Sequence, residues 1–330
     1  MDVIEQGVGR IFTDPDADKA REFFRHKSRA LVSKLTTVKD AVAKYVQDGD
    51  YVSIGGFGVN RIPAAVLHEI VRQGKKNLGL AGHTATHDFE ILSAGKCFNR
   101  CDAAYIIGLE ARGLSPNARQ YMESGEVEVS EWTNYTLAVR YKAACAGVSF
   151  HPIRNMMGTD TFKYSGAVKV KCPFTGTNYA LVPALYSDVG LIHVHEADVY
   201  GNCRTKGILM SDYDIARSSK KVIVTCERLI TNDEIRRDPT STFIPYWCVD
   251  AVIEQPFGSY PGNMYGEYFS DEEHLREWLK VEKDPEEFKA FLDKNIYSCK
   301  DHYEYIEKNG GMHKMLKLRQ KEWLMIGARE

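Results

Sequence analysis

The sequence has 330 residues, 43 Lys and Arg against 45 Asp and Glu, and a formal net charge of −2. That length allows a large core in one big or two modest α/β domains, and the near-neutral charge argues against a nucleic-acid binder, which would carry a basic excess or stripe. No apolar run is long enough to span a bilayer, the opening MDVIEQGVGR lacks a hydrophobic signal core, and eight scattered cysteines without CxxC spacing read as reduced thiols, so a cytoplasmic protein is expected.

Residues 1–34 alternate acids and bases around a thin apolar stripe of Phe23, Phe24 and Leu31. They read as a charged extension carrying a surface helix, not as a basic anchor. Thr37 fits the N-cap of a short amphipathic helix running through Val46. The stretch DGDYVSIGGFGVNRIP, residues 48–63, follows, and the rest of the chain is organised around it. Tyr51–Ile54 predicts a short buried strand launched from an Asp-Gly-Asp turn. Gly55-Gly56 lets the backbone turn sharply or lie against a ligand, and Pro63 opens a helix that begins Ala64-Ala65-Val66-Leu67. Strand, glycine elbow and helix in that order place exposed amide N–H groups at the carboxyl edge of a parallel sheet, where α/β proteins bind ligands. The plain alternative is a tight turn.

Strands are then predicted at 77–81, 103–107 and 126–130. Helices are predicted at 88–94, closed by Gly95, at 115–123, and at 134–146, closed by Gly147. Residues 156–177, rich in Gly, Thr and Lys, predict a long excursion or β-hairpin insert. Alternation resumes with strands at 179–182, 189–194, 221–225 and 249–254, and a helix at 213–219. This pattern specifies an α/β fold with a mostly parallel, doubly wound sheet. From Asp271 onward acidic and aromatic helices form a C-terminal helical cap. The expected boundaries are therefore 1–34, 35–270 and 271–330.

No complete catalytic set is visible. His83 and His87, four apart in GHTATHD beside Asp88, lack the third ligand that zinc needs and read as half-buried histidines lining a pocket. His193 and His195 are assigned to opposite faces of a strand, as structural histidines with no shared ligand. Cys97 and Cys101 have no nearby base and read as packed thiols. There is no serine elbow, no P-loop and no third glycine for a dinucleotide fingerprint. Arg61, Arg112 and Arg154 each follow a predicted strand near the carboxyl edge, where a forked cation could hold a carboxylate or phosphates; the alternative for each is a surface ion pair. Glu227-Arg228 and residues 233–238 read as a salt-bridged turn or a subunit contact.

Taken together, Asp48-Gly49, Gly55-Gly56-Phe57, Pro63, the run DVGLIHVHEADVYGN at 188–202, Thr225-Cys226-Glu227, EIRRDP at 234–239 and VDAV at 249–252 resemble the alpha subunits of class I coenzyme A transferases, especially the glutaconate CoA-transferase branch. The resemblance covers roughly residues 35–310. Many members of that family carry glycine where this chain has Arg61, and the glutaconate-type branch is similar to this sequence in having arginine, which implies a dicarboxylate or unusual acid. The resemblance implies a hetero-oligomer whose beta subunit supplies a catalytic glutamate in a Ser-Glu-Asn-Gly type motif. Here Glu307-Lys308-Asn309-Gly310 lacks the serine, so no catalytic residue is expected in this chain. It also implies coenzyme A as a substrate, with no permanently bound cofactor and no metal. The implied substrate-binding residues are Gly55, Gly56, Phe57, Arg61, His83, His87, Arg112, Asn134 and Arg154. Two departures stand out. His83 and His87 occupy a loop that is glycine-rich in the glutaconate-type branch, and Arg154 resembles an arginine of steroid-ring hydrolases that pair it with a glutamate where Asn134 stands here. The alternatives are thus an acyl-CoA hydrolase or a glutaconyl-CoA-type decarboxylase on the same two-subunit fold, or a non-catalytic acyl-CoA-binding subunit.

Overall fold

The computed structural model describes residues 2–109 and 112–327. Its centre is a run of seven parallel strands: β1 Tyr51–Ile54, β2 Leu78–Gly82, β3 Phe98–Ala103, β4 Glu128–Glu131, β5 Val189–Ala197, β6 Lys221–Leu229 and β7 Ala251–Glu254. Their spatial order is β7-β6-β5-β1-β2-β3-β4, with the short strand Cys203–Arg204 antiparallel on β5. The chain winds outward from β1 to β4, returns to lay β5 beside β1, and winds outward the other way. The reversal between β1 and β5 is a topological switch point, and above the carboxyl ends there a crevice is expected.

Both faces of this sheet are buried, so its central strands are nearly continuous apolar runs. Val52, Ile54, Leu80, Leu191 and Ile223 join one core with Leu67 and Ile70 of the helix Ala64–Arg72 and Trp278 and Phe291 of the C-terminal helices. Tyr51, Ile192, Val194, Val222 and Val224 join the other with Leu137 and Tyr141 of the helix Asn134–Ala146. Beneath the second core lies a four-stranded antiparallel sheet in the order Val3–Gln6, Val168–Lys171, Asn178–Pro183, Phe150–Ile153. The helices Glu272–Val281, Pro285–Leu292, His302–Lys308 and Gly311–Gly327 follow the last strand. No helix among the described residues is long and apolar enough to cross a membrane.

Four expectations need correction. The strand predicted at 179–182 belongs to the antiparallel sheet, where it closes a hairpin with Val168–Lys171. The strand predicted at 103–107 lies earlier, at Phe98–Ala103; Asn99 and Arg100 sit at its open end, and Arg100 donates to the Asn77 carbonyl at 2.7 Å. Val3–Gln6 is an exposed edge strand inside the part read as a helical extension. His193 and His195 share a face, because residues two apart in a strand point the same way. His193 bonds Thr225 Oγ1 and Glu227 Oε1, each at 2.8 Å, and His195 reaches the Tyr265 carbonyl at 2.8 Å. Glu227 is accordingly buried, while its neighbour Arg228 does form a charged surface cluster with Glu196 and Glu267.

Candidate active site

At the switch point a carboxylate lies against glycine. A Cβ on Gly55 would fall 2.6 Å from Asp212 Oδ1, so only glycine fits there, and Gly56 has φ of +95°. Phe57 and Asn60 exchange N–H···O bonds of 2.9 Å, folding the loop back on itself. Arg61 then adopts φ of +61°, a left-handed conformation that favours glycine. Its guanidinium grips Asp212 through Nη1–Oδ1 at 2.8 Å and Nη2–Oδ2 at 3.1 Å, and Nη2 also donates to the Ile208 carbonyl at 2.6 Å. Asp212 opens the helix Asp212–Ser218 and accepts the Gly56 N–H at 2.9 Å as well.

Both side chains are fully buried, and the pair ties the segment after β1 to the segment after β5. Burial pushes the Asp212 carboxyl up, but the Arg61 guanidinium and the amide bonds outweigh it and hold the group below the usual carboxylate range. Arg61 thus points into the protein, under the elbow. The amides are engaged too: Gly55 N–H donates to Leu191 O, Gly56 to Asp212, Phe57 to Asn60 O and Gly58 to Thr84 O. The expected row of exposed N–H groups is therefore not there. The elbow is a wall of the crevice and not an anion nest.

His83 follows β2 and faces the same corner, with Nδ1 3.2 Å from Ser211 Oγ. Burial drives its pKa down to about 4 despite the nearby Asp212 carboxylate, so the ring is neutral at physiological pH. His83, Thr84 and Thr86 are all buried, and Thr84 holds φ of +52°, a strained value for a β-branched residue.

His87 turns away from this corner. It is buried, its Nδ1 meets Glu90 Oε2 at 2.8 Å, and its ring stands edge-on to Trp278 of the C-terminal helices with centroids 4.8 Å apart. Burial lowers His87 to about 3 and raises Glu90 to about 8, so both are neutral at pH 7. Neither His83 nor His87 is half-buried, contrary to expectation; both lie inside. Arg112 is forked onto Glu272 at 2.8 and 2.7 Å and lines, with His87 and Glu90, a void of about 10 Å³. Asn134 opens the helix after β4, and Arg154 is exposed after Phe150–Ile153. Their neighbours are joined: Asn155 Nδ2 donates to Thr133 Oγ1 at 3.0 Å, linking the start of that helix to the end of Phe150–Ile153 in the antiparallel sheet.

The predicted residues thus fall into three groups: Gly55, Gly56, Phe57, Arg61 and His83 at the switch-point corner; His87 and Arg112 against the cap; Asn134 and Arg154 where the helix after β4 is linked to the antiparallel sheet. Sequence reasoning missed Asp212 and Ser211. The available signal was Ser-Asp at the head of a helical pattern, which marks a helix N-terminus and here starts the helix one residue earlier than predicted.

The coenzyme A transferase family model matches residues 35–255, a span that includes the strand–glycine–glycine–helix unit at the switch point. The chain belongs to the coenzyme A transferase family. It is 36% identical to a glutaconate CoA-transferase subunit from Acidaminococcus fermentans, over 84% of this chain and 92% of that one. It is 34% identical to a 3-oxoadipate CoA-transferase subunit from Pseudomonas knackmussii, over 84% and 98% respectively. The crystal structure of glutaconate coenzyme A-transferase from A. fermentans superposes with a TM-score of 0.83 at 34% identity, covering 87% of this chain and 96% of that one.

Proposed function

We propose that this chain is the alpha-type subunit of a hetero-oligomeric coenzyme A transferase. It would move coenzyme A between an acyl-CoA and a carboxylic or dicarboxylic acid, the nucleophile being a glutamate of a beta-type partner. The observation that carries this reading is a switch-point corner whose polar groups are engaged or buried, with no free nucleophile. Among the described residues at the corner, both Asp212 oxygens are engaged by Arg61 and Gly56, and Ser211 is buried against a neutral His83. Ile208, Leu209 and Met210, on the loop leading to Ser211, form an exposed apolar run tied to this corner through the Ile208 carbonyl on Arg61, which supports a partner surface closing over it. Both relatives are named as single subunits of their transferases, which supports it further.

In this reading a carboxylate oxygen of the partner attacks the thioester carbonyl. The tetrahedral oxyanion collapses and expels the CoA thiolate, leaving a mixed anhydride. The thiolate then attacks the enzyme-side carbonyl, releasing the free acid and leaving a glutamyl-CoA thioester, and the acceptor acid runs the steps in reverse. Splitting the transfer in this way is nucleophilic catalysis, and an interface closed to water protects the anhydride. Gly55, Gly56 and Phe57 supply the wall, His83 a neutral polar edge, and Arg61 acts from behind by fixing Asp212. Asn134, amide where the ring hydrolases carry an acid, favours transfer over hydrolysis. Co-expression with a beta-type partner, incubation with a panel of acyl-CoAs and acetate, and trapping of the enzyme thioester with hydroxylamine test the reading. Neither transfer nor thioester with any acyl-CoA would sink it.

A further inference from the structure

The Gly55-Gly56 corner lies at the carboxyl ends of the strands, and a separate cavity lies at their amino ends. It has a volume of about 330 Å³ and sits between the helix Ala17–His26, the end of the helix Asn134–Ala146, the helix Asp212–Ser218 and the turn Tyr246–Cys248. Four cations line it, Arg21, Lys27, Arg29 and Arg217, and among the described residues no carboxylate does. In a chain of net charge −2 that is a marked local excess. Arg21 is paired with Asp18 at 2.7 Å and Lys27 with Asp250 at 2.8 Å. Arg29 and Arg217 carry no ion pair among the described residues; Arg217 lies with its guanidinium 4.4 Å over the Tyr213 ring, which leaves its charge without a carboxylate, and its Nε is buried without a hydrogen-bond partner. Two arginines beyond those neutralised is the number that grips one phosphate or diphosphate through forked bonds.

A second observation points the same way. Tyr186, 6% exposed, lines the cavity with its hydroxyl buried and unpartnered. Buried polar groups are normally bonded, so a lone hydroxyl in a cavity wall marks a place where a ligand atom can sit. Trp247, 42% exposed, offers a flat face at the mouth. The two helix ends that reach the cavity present carbonyls, whose partial negative charge is smaller than the two unpaired guanidiniums.

We propose that this cavity is a second binding site for a nucleotide-type anion, with its phosphates on Arg29 and Arg217, its flat ring against Trp247 and a polar atom on the Tyr186 hydroxyl. Its volume falls in the range of small-molecule sites. Free nucleoside diphosphates and the 3′-phospho-ADP end of coenzyme A share this chemistry. The site is independent of the transfer reading, because it needs neither the crevice nor a partner chain.

The test uses the full chain alone, titrated with ADP, coenzyme A and inorganic pyrophosphate and followed by calorimetry and by tryptophan fluorescence. Saturable binding of ADP or coenzyme A is expected, weakened about tenfold or more by Arg29→Ala with Arg217→Ala at unchanged melting temperature. Trp247→Phe abolishes the fluorescence change and leaves calorimetric binding in place. Tighter binding of ADP assigns the site to free nucleotides, and tighter binding of coenzyme A to its phosphorylated end. Lys289→Ala, which breaks an exposed pair with Asp293 on the C-terminal helices, leaves these affinities unchanged. The proposal is overturned if neither ligand saturates below about 1 mM, if the double arginine variant binds as well as the parent, or if pyrophosphate binds as tightly as ADP, which would remove the ring contact.

Discussion

Asp212→Asn is the most informative single change. The amide keeps the shape of the carboxylate and one acceptor oxygen, so Gly55 still meets a similar surface, but the charge facing Arg61 is gone. The guanidinium then stays fully buried with no counter-charge. Removing one partner of a buried pair costs about 3–5 kcal/mol, because the surviving charge has lost its compensation. For a chain of this length that corresponds to a fall in apparent melting temperature of roughly 4–7 °C. Arg61→Met leaves the opposite orphan and is expected to cost a comparable amount. The double variant loses both partners, so its cost falls short of the sum of the singles by about 1–3 kcal/mol.

The pH dependence has a definite sign. Asp212 is held below its usual 3.8, so the stability it contributes is present above that value and is lost as pH falls through the folded-state pKa. The gap between parent and Asp212→Asn therefore closes in acid. Urea unfolding followed by circular dichroism at pH 7 and at pH 3.5 measures all of this. A single variant within about 1 kcal/mol of the parent, or strictly additive singles, would show that the pair does not hold the two halves of the crevice together.

Three further expectations follow from the same structure. Gly55→Ala places a methyl group 2.6 Å from Asp212 Oδ1 and 3.3 Å from Ile192 Cγ1, so it should destabilise by about 1–3 kcal/mol and abolish thioester formation in the assembled enzyme; full activity at normal stability would contradict the reading of the elbow. Glu90, raised from 4.5 to about 8 by burial, stays protonated in the folded chain while the unfolded chain ionises, so stability falls as pH rises between those values; Glu90→Gln should flatten that slope in denaturant titrations from pH 5 to 8. Asp102 is buried, accepts from the Tyr51 hydroxyl and from Trp132 Nε1 at 2.5 Å, and faces Arg140 at 3.0 Å; Asp102→Ala leaves Arg140 buried and unpaired and should cost about 3–5 kcal/mol by chemical denaturation, whereas exchange at an exposed pair such as Lys289–Asp293 should cost under about 1 kcal/mol.

How far the fold could be read from the sequence depended on which physical signal each element left there. β1, β2, β5, β6 and β7 are buried on both faces, so their runs of Val, Ile and Leu announce them. The helix Asn134–Ala146 was legible to the residue, because Thr133 caps its start and Gly147, at φ of +71°, ends it. β3 was displaced because Asn99 and Arg100 break its pattern, and Val3–Gln6 was missed because a four-residue exposed edge strand leaves no periodicity to find. The sheet to which Asn178–Pro183 belongs was beyond the residue pattern altogether, since its partners are set by tertiary pairing with Val168–Lys171 and Phe150–Ile153.

The site divides along the same line. Gly55 and Gly56 could be found because a missing side chain is visible in sequence, and Arg61 because its neighbours matched a family. What Arg61 does could not be found. An arginine beside a loop is ordinarily assigned to the surface, and only its partner, 151 residues further on, reverses that assignment. Glycine would suit this position in the same terms: φ of +61° favours it, and an arginine tolerates that conformation here because Asp212 gives its charge a buried home. The two positions therefore form one unit. A family member with glycine at 61 should not keep an ionised, buried carboxylate at the place of Asp212, so Arg61→Gly alone is expected to raise that carboxyl above its ordinary pKa. Carboxylate-selective NMR titration of the single variant checks this, and an unshifted or depressed Asp212 in it would mean that the elbow amides, not Arg61, hold the charge.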